Sequence, residues 1–173
     1  MRDRDPAGRP RNARPRDGLG RPLARAAEPA PAGPRIPDDL IISGPDAAVL
    51  ADQLLRGGQP FHGHEVLEAA WKSAGPAERD LWQGLAQIAV GLTHARRGNA
   101  RGAAALLRRG ASRVRTYQDQ PALPAGPSPY GLDVPAVLAA ADALAARIEQ
   151  HGLGHVPPAV LSPRLLADPK DHR

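Results

Sequence analysis

Apolar residues recur at the 3.6-residue spacing of an α-helix in five stretches of the chain, which glycine and proline separate from one another. No stretch has the character of a β-strand. The pattern predicts helices over about 44–56, 60–72, 77–97, 100–117 and 134–151. Ser43, Asn99 and Asp133 stand directly before three of these helices, where their side chains are suited to cap the first turn. The expected fold class is therefore all-α, a compact bundle of four to five helices.

Short connections join the second helix to the third and the third to the fourth. Because short connections place neighbouring helices side by side, these three helices are predicted to pack antiparallel with the third in the middle. Gly84, Gly91 and Gly98 share one strip of the third helix. Their lack of side chains favours close approach of a neighbouring helix along that strip.

Composition divides the chain into a helical domain and two tails. The 173 residues include 20 prolines and 18 glycines, too many for one compact helical body, and they cluster outside the periodic stretches. Residues 1–36 are predicted to be a disordered Arg/Pro-rich tail, residues 37–152 a helical domain, and residues 153–173 an extended C-terminal tail.

The net charge of +5 belongs to the N-terminal tail. Residues 1–35 carry nine Arg and four Asp or Glu, and 9 − 4 is +5, so the rest of the chain is neutral. Such a tail could contact nucleic acid or an acidic partner weakly. A stripe on the fourth helix, formed by Arg101, Arg108 and Arg115, is a candidate anion-binding face, although solvated helix surface explains such a stripe more often.

Several function classes are excluded or disfavoured. The chain has no cysteine, which rules out disulfides, thiol nucleophiles and cysteine-ligated zinc. No apolar run reaches the length of a membrane span, and no signal peptide is recognisable at the N-terminus, so a cytoplasmic protein is expected. Phosphate-loop, dinucleotide-binding and serine-hydrolase motifs are also missing.

Polar side chains interrupt the apolar stripes of the second and third helices. His64 and Glu68 lie in the same arc as Leu67, and a charge buried there needs a partner. Gln83 and Gln87 lie on one side of the third helix and could supply that partner. A single polar seam between the two helices is predicted, with these candidate residues: His64, Glu65, Glu68, Trp71, Gln83, Gln87, His94 and Asn99. His62 is predicted to point away from the seam into solvent.

Two chemical interpretations of this seam remain open. The commoner one is a hydrogen-bond network that fixes the register of the helices. In the other, His64, Glu68 and His94 hold a divalent metal, or act with Glu65 in acid–base chemistry. The spacing His-Glu-x-x-Glu lacks the second histidine of the zinc-protease motif, so protease chemistry is not inferred.

The residues Phe61-x-x-His64-Glu65-x-x-Glu68-x-x-Trp71, Gln83-Gly84-x-x-Gln87, His94, Gly98-Asn99 and Gly102-Ala103 together resemble domain-of-unknown-function family 309. The resemblance extends over about residues 45–150, and Tyr130-Gly131-x-Asp133 also fits it. It implies a small all-helical bacterial protein. It supplies no biochemical role, no cofactor and no partner.

The leading functional hypothesis is a non-enzymatic binding or scaffold module with the polar seam between its helices. The alternative is a metal-dependent or acid–base enzyme, hydrolase-like, that uses His64, Glu65, Glu68 and His94. No cofactor is firmly implied, although a divalent metal would suit the alternative.

Overall fold

The computed structural model describes residues 17, 19–21, 35–120 and 129–168. This part of the chain contains five α-helices: α1 (Gly44–Arg56), α2 (Pro60–Ser73), α3 (Arg79–Arg96), α4 (Ala100–Gln118) and α5 (Val134–His151). Short 3₁₀ turns lie at Pro76–Glu78, Pro129–Gly131, Leu153–His155 and Pro158–Leu161. The only extended pairing within these ranges is an isolated bridge between Leu132 and Leu166. The predicted all-α fold is confirmed.

The predicted capping residues close the helices as expected. Ser43 accepts a hydrogen bond from the amide of Asp46, Asn99 from Gly102 and Asp133 from Ala136. Each bond satisfies one backbone donor that the first helical turn leaves without a partner.

The third helix begins two residues later than its apolar pattern predicts. Pro76–Glu78 form a separate 3₁₀ turn, closed by a hydrogen bond from the amide of Glu78 to the carbonyl of Gly75. Proline fits this first position because it has no amide hydrogen to lose. α3 then starts at Arg79.

Each helix contacts the next along the chain, and α3 lies between α2 and α4 as predicted. A Cβ atom on Gly84 would lie 2.8 Å from the carbonyl oxygen of Gly110, and one on Gly91 would lie 3.0 Å from the Leu107 side chain. The contact on α4 moves back from residue 110 to residue 107 as the contact on α3 moves forward from residue 84 to residue 91, so the two helices are antiparallel. The predicted close approach is correct at Gly84 and Gly91. It is wrong at Gly98, where no atom of the described residues lies within 4 Å of a would-be Cβ and the chain instead forms a turn with φ of 80°.

The core consists mainly of alanine and leucine, with Trp82 fully buried among them. The segment after α5 returns to this core. Leu165 is 1% exposed, Leu161 and Leu166 are half-buried, and Val160 remains 39% exposed. The predicted C-terminal tail therefore contributes to the fold through part of its length, while residues 169–173 lie outside the described ranges.

Most of the predicted N-terminal tail, residues 1–36, also lies outside the described residues. Asp17, Leu19, Gly20 and Arg21 are described and reach the helical body, as set out below. None of the described helices is long and apolar enough to cross a membrane.

Candidate binding face on helices 2 and 3

Three polar side chains form a row along α2, one helical turn apart. His64 Nε2 lies 3.4 Å from Glu68 Oε2, and the other oxygen of Glu68 lies 3.0 Å from Lys72 Nζ. The Glu68 side chain is 36% exposed and His64 is 26% exposed. The row therefore occupies a partly open face of the bundle and not its sealed interior.

Burial lowers the pKa of His64 below its ordinary value of 6.5, and the neighbouring carboxylates of Glu68 and Glu65 offset this only in part. The ring is thus mainly neutral at neutral pH. A neutral imidazole has one nitrogen that donates and one that accepts a hydrogen bond. His64 can therefore either donate or accept a hydrogen bond on this face.

His62 differs from its prediction. The side chain is buried, and its Nδ1 lies 3.1 Å from Glu65 Oε2. The next residue along α2, Gly63, packs against α1, since a Cβ there would lie only 3.1 Å from the Leu55 side chain. Periodicity within α2 alone could not reveal which sides of the helix other segments cover.

The polar residues of α3 fall into two groups. Gln83 and Gln87 are half-buried, and the buried side-chain oxygen of Gln87 has no hydrogen-bond partner among the described residues. His94 is also half-buried, but its Nδ1 accepts a hydrogen bond of 2.8 Å from Asn99 Nδ2. Asn99 also caps α4, so His94 is tied to the α3–α4 turn.

The close fit of this turn explains the glycine that follows it. A Cβ atom on Gly102 would lie 2.5 Å from Asn99 Nδ2 and 2.6 Å from His94 Nδ1. Any larger residue would push the histidine and asparagine apart. The absence of a side chain at Gly102 therefore leaves room for the hydrogen bond between His94 and Asn99.

Two pairs within the predicted seam are in contact in the described region. His64 and Glu68 are brought together, as are His94 and Asn99, but no hydrogen bond in the described ranges links Glu68 to Gln83, Gln87 or His94. Nor does that region contain a group of three or more His, Asp or Glu side chains arranged to hold a metal ion. The trio His64, Glu68 and His94 does not form such a group here.

Aromatic side chains border the row on α2. The Phe61 ring lies 6.2 Å from the His64 ring, and the guanidinium of Arg97 sits 6.0 Å from the Phe61 ring centre. Trp71 is half-buried against the core further along α2. The Phe61–Arg97 contact joins the start of α2 to the end of α3, so these two helices run antiparallel. His64 therefore lies at about the level of His94, and Trp71 at about the level of Gln87.

Two of the three arginines in the predicted anion-binding stripe are paired with α5. Arg108 contacts Glu149 at 2.9 Å and Asp142 at 3.4 Å, and Arg115 also contacts Asp142. Hydrogen bonding between Arg108 and Glu149 raises the pKa of the arginine and lowers that of the carboxyl group. Arg101 is exposed beside a shallow groove of about 290 Å³ between α4 and α5.

Asp52 was not singled out by the sequence analysis. It lies on the inner face of α1 and is only 4% exposed. Its carboxylate accepts hydrogen bonds from the amides of Leu165 and Leu166, at 2.7 and 3.2 Å. The sequence feature that could have identified it is an aspartate among the inward-facing alanines and leucines of α1.

A second unexpected cluster surrounds Tyr130. Its hydroxyl donates a hydrogen bond of 2.6 Å to Glu78, which also accepts one from the Trp82 indole. The bond to Glu78 raises the pKa of Tyr130 to about 12. The Tyr130 ring stacks on Trp82 at 5.6 Å and covers Gly44. These contacts hold Tyr130 in a left-handed conformation, with φ of 59°.

The structure thus places the polar and aromatic positions of the sequence pattern on α2, on α3 and at the turn into α4. Residues 50–106 match the family model described as domain of unknown function (DUF309). The resemblance to this family is confirmed over that segment. No curated protein and no solved structure matches the chain. The DUF309 segment contains all of α2 and α3, and so every residue of the face described here.

Proposed function

We propose that this DUF309 protein is a non-enzymatic binding module that uses the partly open side of α2 and α3. We call this surface the α2–α3 face and define it by Phe61, His64, Glu68, Trp71, Gln83, Gln87 and His94. The observation that carries the proposal is the half-buried amide of Gln87, whose oxygen has no hydrogen-bond partner among the described residues. Buried polar atoms in proteins are nearly always paired, so this amide can accept a hydrogen bond from a partner when the side chain turns outward.

The chemistry of the face fits a peptide segment. The glutamine amides can each donate and accept a hydrogen bond, as a peptide group requires. His64, Glu68 and Lys72 offer a neutral ring, a carboxylate and an ammonium in sequence along α2. Phe61 and Trp71 provide aromatic surface at either end, which is common where proteins recognise partners.

Selection of short peptides from a random library tests this proposal. Peptides selected on the natural protein are expected to bind at least tenfold more weakly to Gln87→Ala, and to Gln83→Ala, because each variant loses an amide on the face. Ser112→Ala is the matched control, since Ser112 is exposed on α4 away from this face. Equal binding to all three variants would place the peptide elsewhere and contradict the proposal.

An acid–base enzyme is the second candidate, and one observation favours it. His64 has a lowered pKa and lies 3.4 Å from Glu68, an arrangement that suits a general base. Metal analysis of protein purified without a histidine tag addresses the metal-dependent version, which would use His64, Glu68 and His94. A stoichiometric divalent metal that is lost in His64→Ala would favour the enzyme over the binding module.

A further inference from the structure

A short piece of the N-terminal region contacts the helical body at one end of the α2–α3 face. We call it the N-terminal turn, and its described residues are Asp17, Leu19, Gly20 and Arg21. Arg97 Nε donates a hydrogen bond of 2.8 Å to the Leu19 carbonyl, and its Nη2 contacts the same oxygen. From this contact we infer that the N-terminal turn is an internal ligand that docks on Phe61 and Arg97 and covers the His64 end of the face.

The turn is organised by its own hydrogen bonds. The Asp17 carboxylate accepts from the amides of Leu19 and Arg21, at 2.9 and 2.8 Å, and its carbonyl accepts from Gly20. The side chain of Arg21 also lies 3.7 Å from the Asp17 carboxylate. A segment that satisfies its own backbone loses less conformational freedom when it docks, so even a small contact can hold it.

Glycine is required at position 20 for two separate reasons. Its φ of 73° lies in the left-handed region, which other residues adopt only at a cost. It is also buried, and a Cβ there would lie 2.3 Å from the Phe61 ring. The backbone of the turn therefore rests directly on this ring, which no larger residue at position 20 would allow.

The body provides a matching surface. The Arg97 guanidinium lies over Phe61 and holds the Leu19 carbonyl, so one arginine contacts both the ring and the turn. The Phe61 ring is in turn 6.2 Å from the His64 ring. A turn that rests on Phe61 thus limits access to His64 from that end.

Docking through a neutral carbonyl differs from general attraction of a basic tail. Within the turn, the negative charge of Asp17 offsets the positive charge of Arg21. Arg97 is itself positive, so it repels a positively charged tail. Contacts of this kind depend little on ionic strength. We therefore expect docking to persist near 1 M salt, where the screening length is about 3 Å.

Nuclear magnetic resonance of the full chain tests the docking itself. Because the chain has no cysteine, Ala13→Cys provides a single position for a nitroxide label close in sequence to the turn. The label is expected to broaden the Phe61 ring signals and the Arg97 Nε–H signal. Adding Gly20→Val should abolish the broadening, whereas Gly8→Val, the same substitution elsewhere in the tail, should leave it unchanged. Equal broadening with and without Gly20→Val would overturn the inference.

The second part of the inference, that the docked turn limits access to the His64 end of the face, rests on the proposed function and is tested by a separate experiment. A synthetic peptide with the sequence of residues 11–24 is added to the full-length Gly20→Val chain, in which the native turn cannot dock. The peptide is expected to shift the Phe61 and Arg97 signals there, and to bind the natural chain at least tenfold more weakly because its own turn competes. Equal binding to both chains would refute internal competition. Since neither experiment uses a library-selected peptide, failure of the proposed function would leave the docking result intact.

Discussion

Asp52 shows how one buried side chain can join two distant parts of the chain. Its carboxylate accepts two backbone hydrogen bonds from Leu165 and Leu166, and Arg56 lies 3.7 Å away on the solvent side. Neither amide lies in a helix, so each relies on Asp52 as its partner. The aspartate thereby holds the C-terminal segment against α1.

Replacing Asp52 with alanine is expected to lower the free energy of unfolding by about 1–3 kcal/mol, because two backbone donors lose their acceptor. Asp52→Asn should cost less, since the amide keeps one oxygen acceptor. Denaturant unfolding monitored by circular dichroism measures both changes. Asp39→Ala, at an exposed position, is the control and should change the unfolding free energy very little.

His64 gives the protein a pH dependence whose sign follows from its pKa. Burial lowers the pKa of the folded state below 6.5, so the unfolded state binds the proton more readily. The stabilising effect is therefore fully present above 6.5 and is lost as the pH falls through the folded-state pKa. Between pH 7 and pH 5 the natural protein should lose more unfolding free energy than His64→Gln. The same slope in both proteins would assign the pH dependence to other groups.

Glu68 is expected to matter more for binding than for stability. Its partners His64 and Lys72 lie on the same helix, and its side chain is 36% exposed. Ion pairs at exposed positions contribute only about 0.2–1 kcal/mol. The sequence interpretation placed Glu68 in a buried network, where its loss would cost more. Since Glu68→Ala should fold normally, any loss of ligand binding in this variant can be attributed to the face.

At the scale of the helices, α3 and α4 approach each other closely at the glycines they carry. Gly84 and Gly110 face each other across it, so that backbone meets backbone. The approach fixes the position of α3 relative to α4. Because α2 packs on the other side of α3, it also supports the α2–α3 face.

Gly84→Ala is expected to destabilise the protein by about 1–3 kcal/mol, since overpacking costs that much and outweighs the better helix propensity of alanine. The new Cβ would lie 2.5 Å from the Val114 side chain and 2.8 Å from the Gly110 carbonyl. Gly75→Ala is the matched control, because in the part of the chain that the structure describes nothing lies within 4 Å of a Cβ there. Thermal unfolding of the two variants makes the comparison, and equal midpoints would contradict the close-contact explanation.

At the scale of the whole molecule, the C-terminal segment closes one end of the bundle. The carbonyl of Leu165 accepts from the amide of Asp133, and the amide of Ala167 donates to the carbonyl of Gly131. With the two hydrogen bonds to Asp52, these contacts connect the segment to α1 and to the start of α5. The buried side chain of Leu165 adds to the same core.

Leu165→Ala should therefore lower the unfolding free energy by about 2–5 kcal/mol, the range expected for removal of a large buried aliphatic side chain. Val160→Ala is the control in the same segment, since Val160 is 39% exposed. Chemical denaturation of both variants gives the difference. If Leu165→Ala changes the unfolding free energy no more than Val160→Ala does, the C-terminal segment contributes little to the stability of the bundle.

The sequence by itself determined the helices and their order. Apolar spacing, glycine and proline breaks, and the caps Ser43, Asn99 and Asp133 all depend on residues close together in the chain. They also sufficed to place α3 in the middle and to identify Gly84 and Gly91 as contact points. The polar positions of the candidate face could be found in the same way, because they interrupt helical apolar stripes.

Only the tertiary structure decided which polar groups meet. His62 is buried although its own helix predicts exposure, and Arg108 pairs with Glu149 from another helix. Likewise, Asp52 binds residues more than a hundred positions away, and Arg97 binds Leu19. Helical periodicity gives the direction of a side chain from its own axis. It carries no information on which other segment lies in that direction, because this depends on how all the elements pack together.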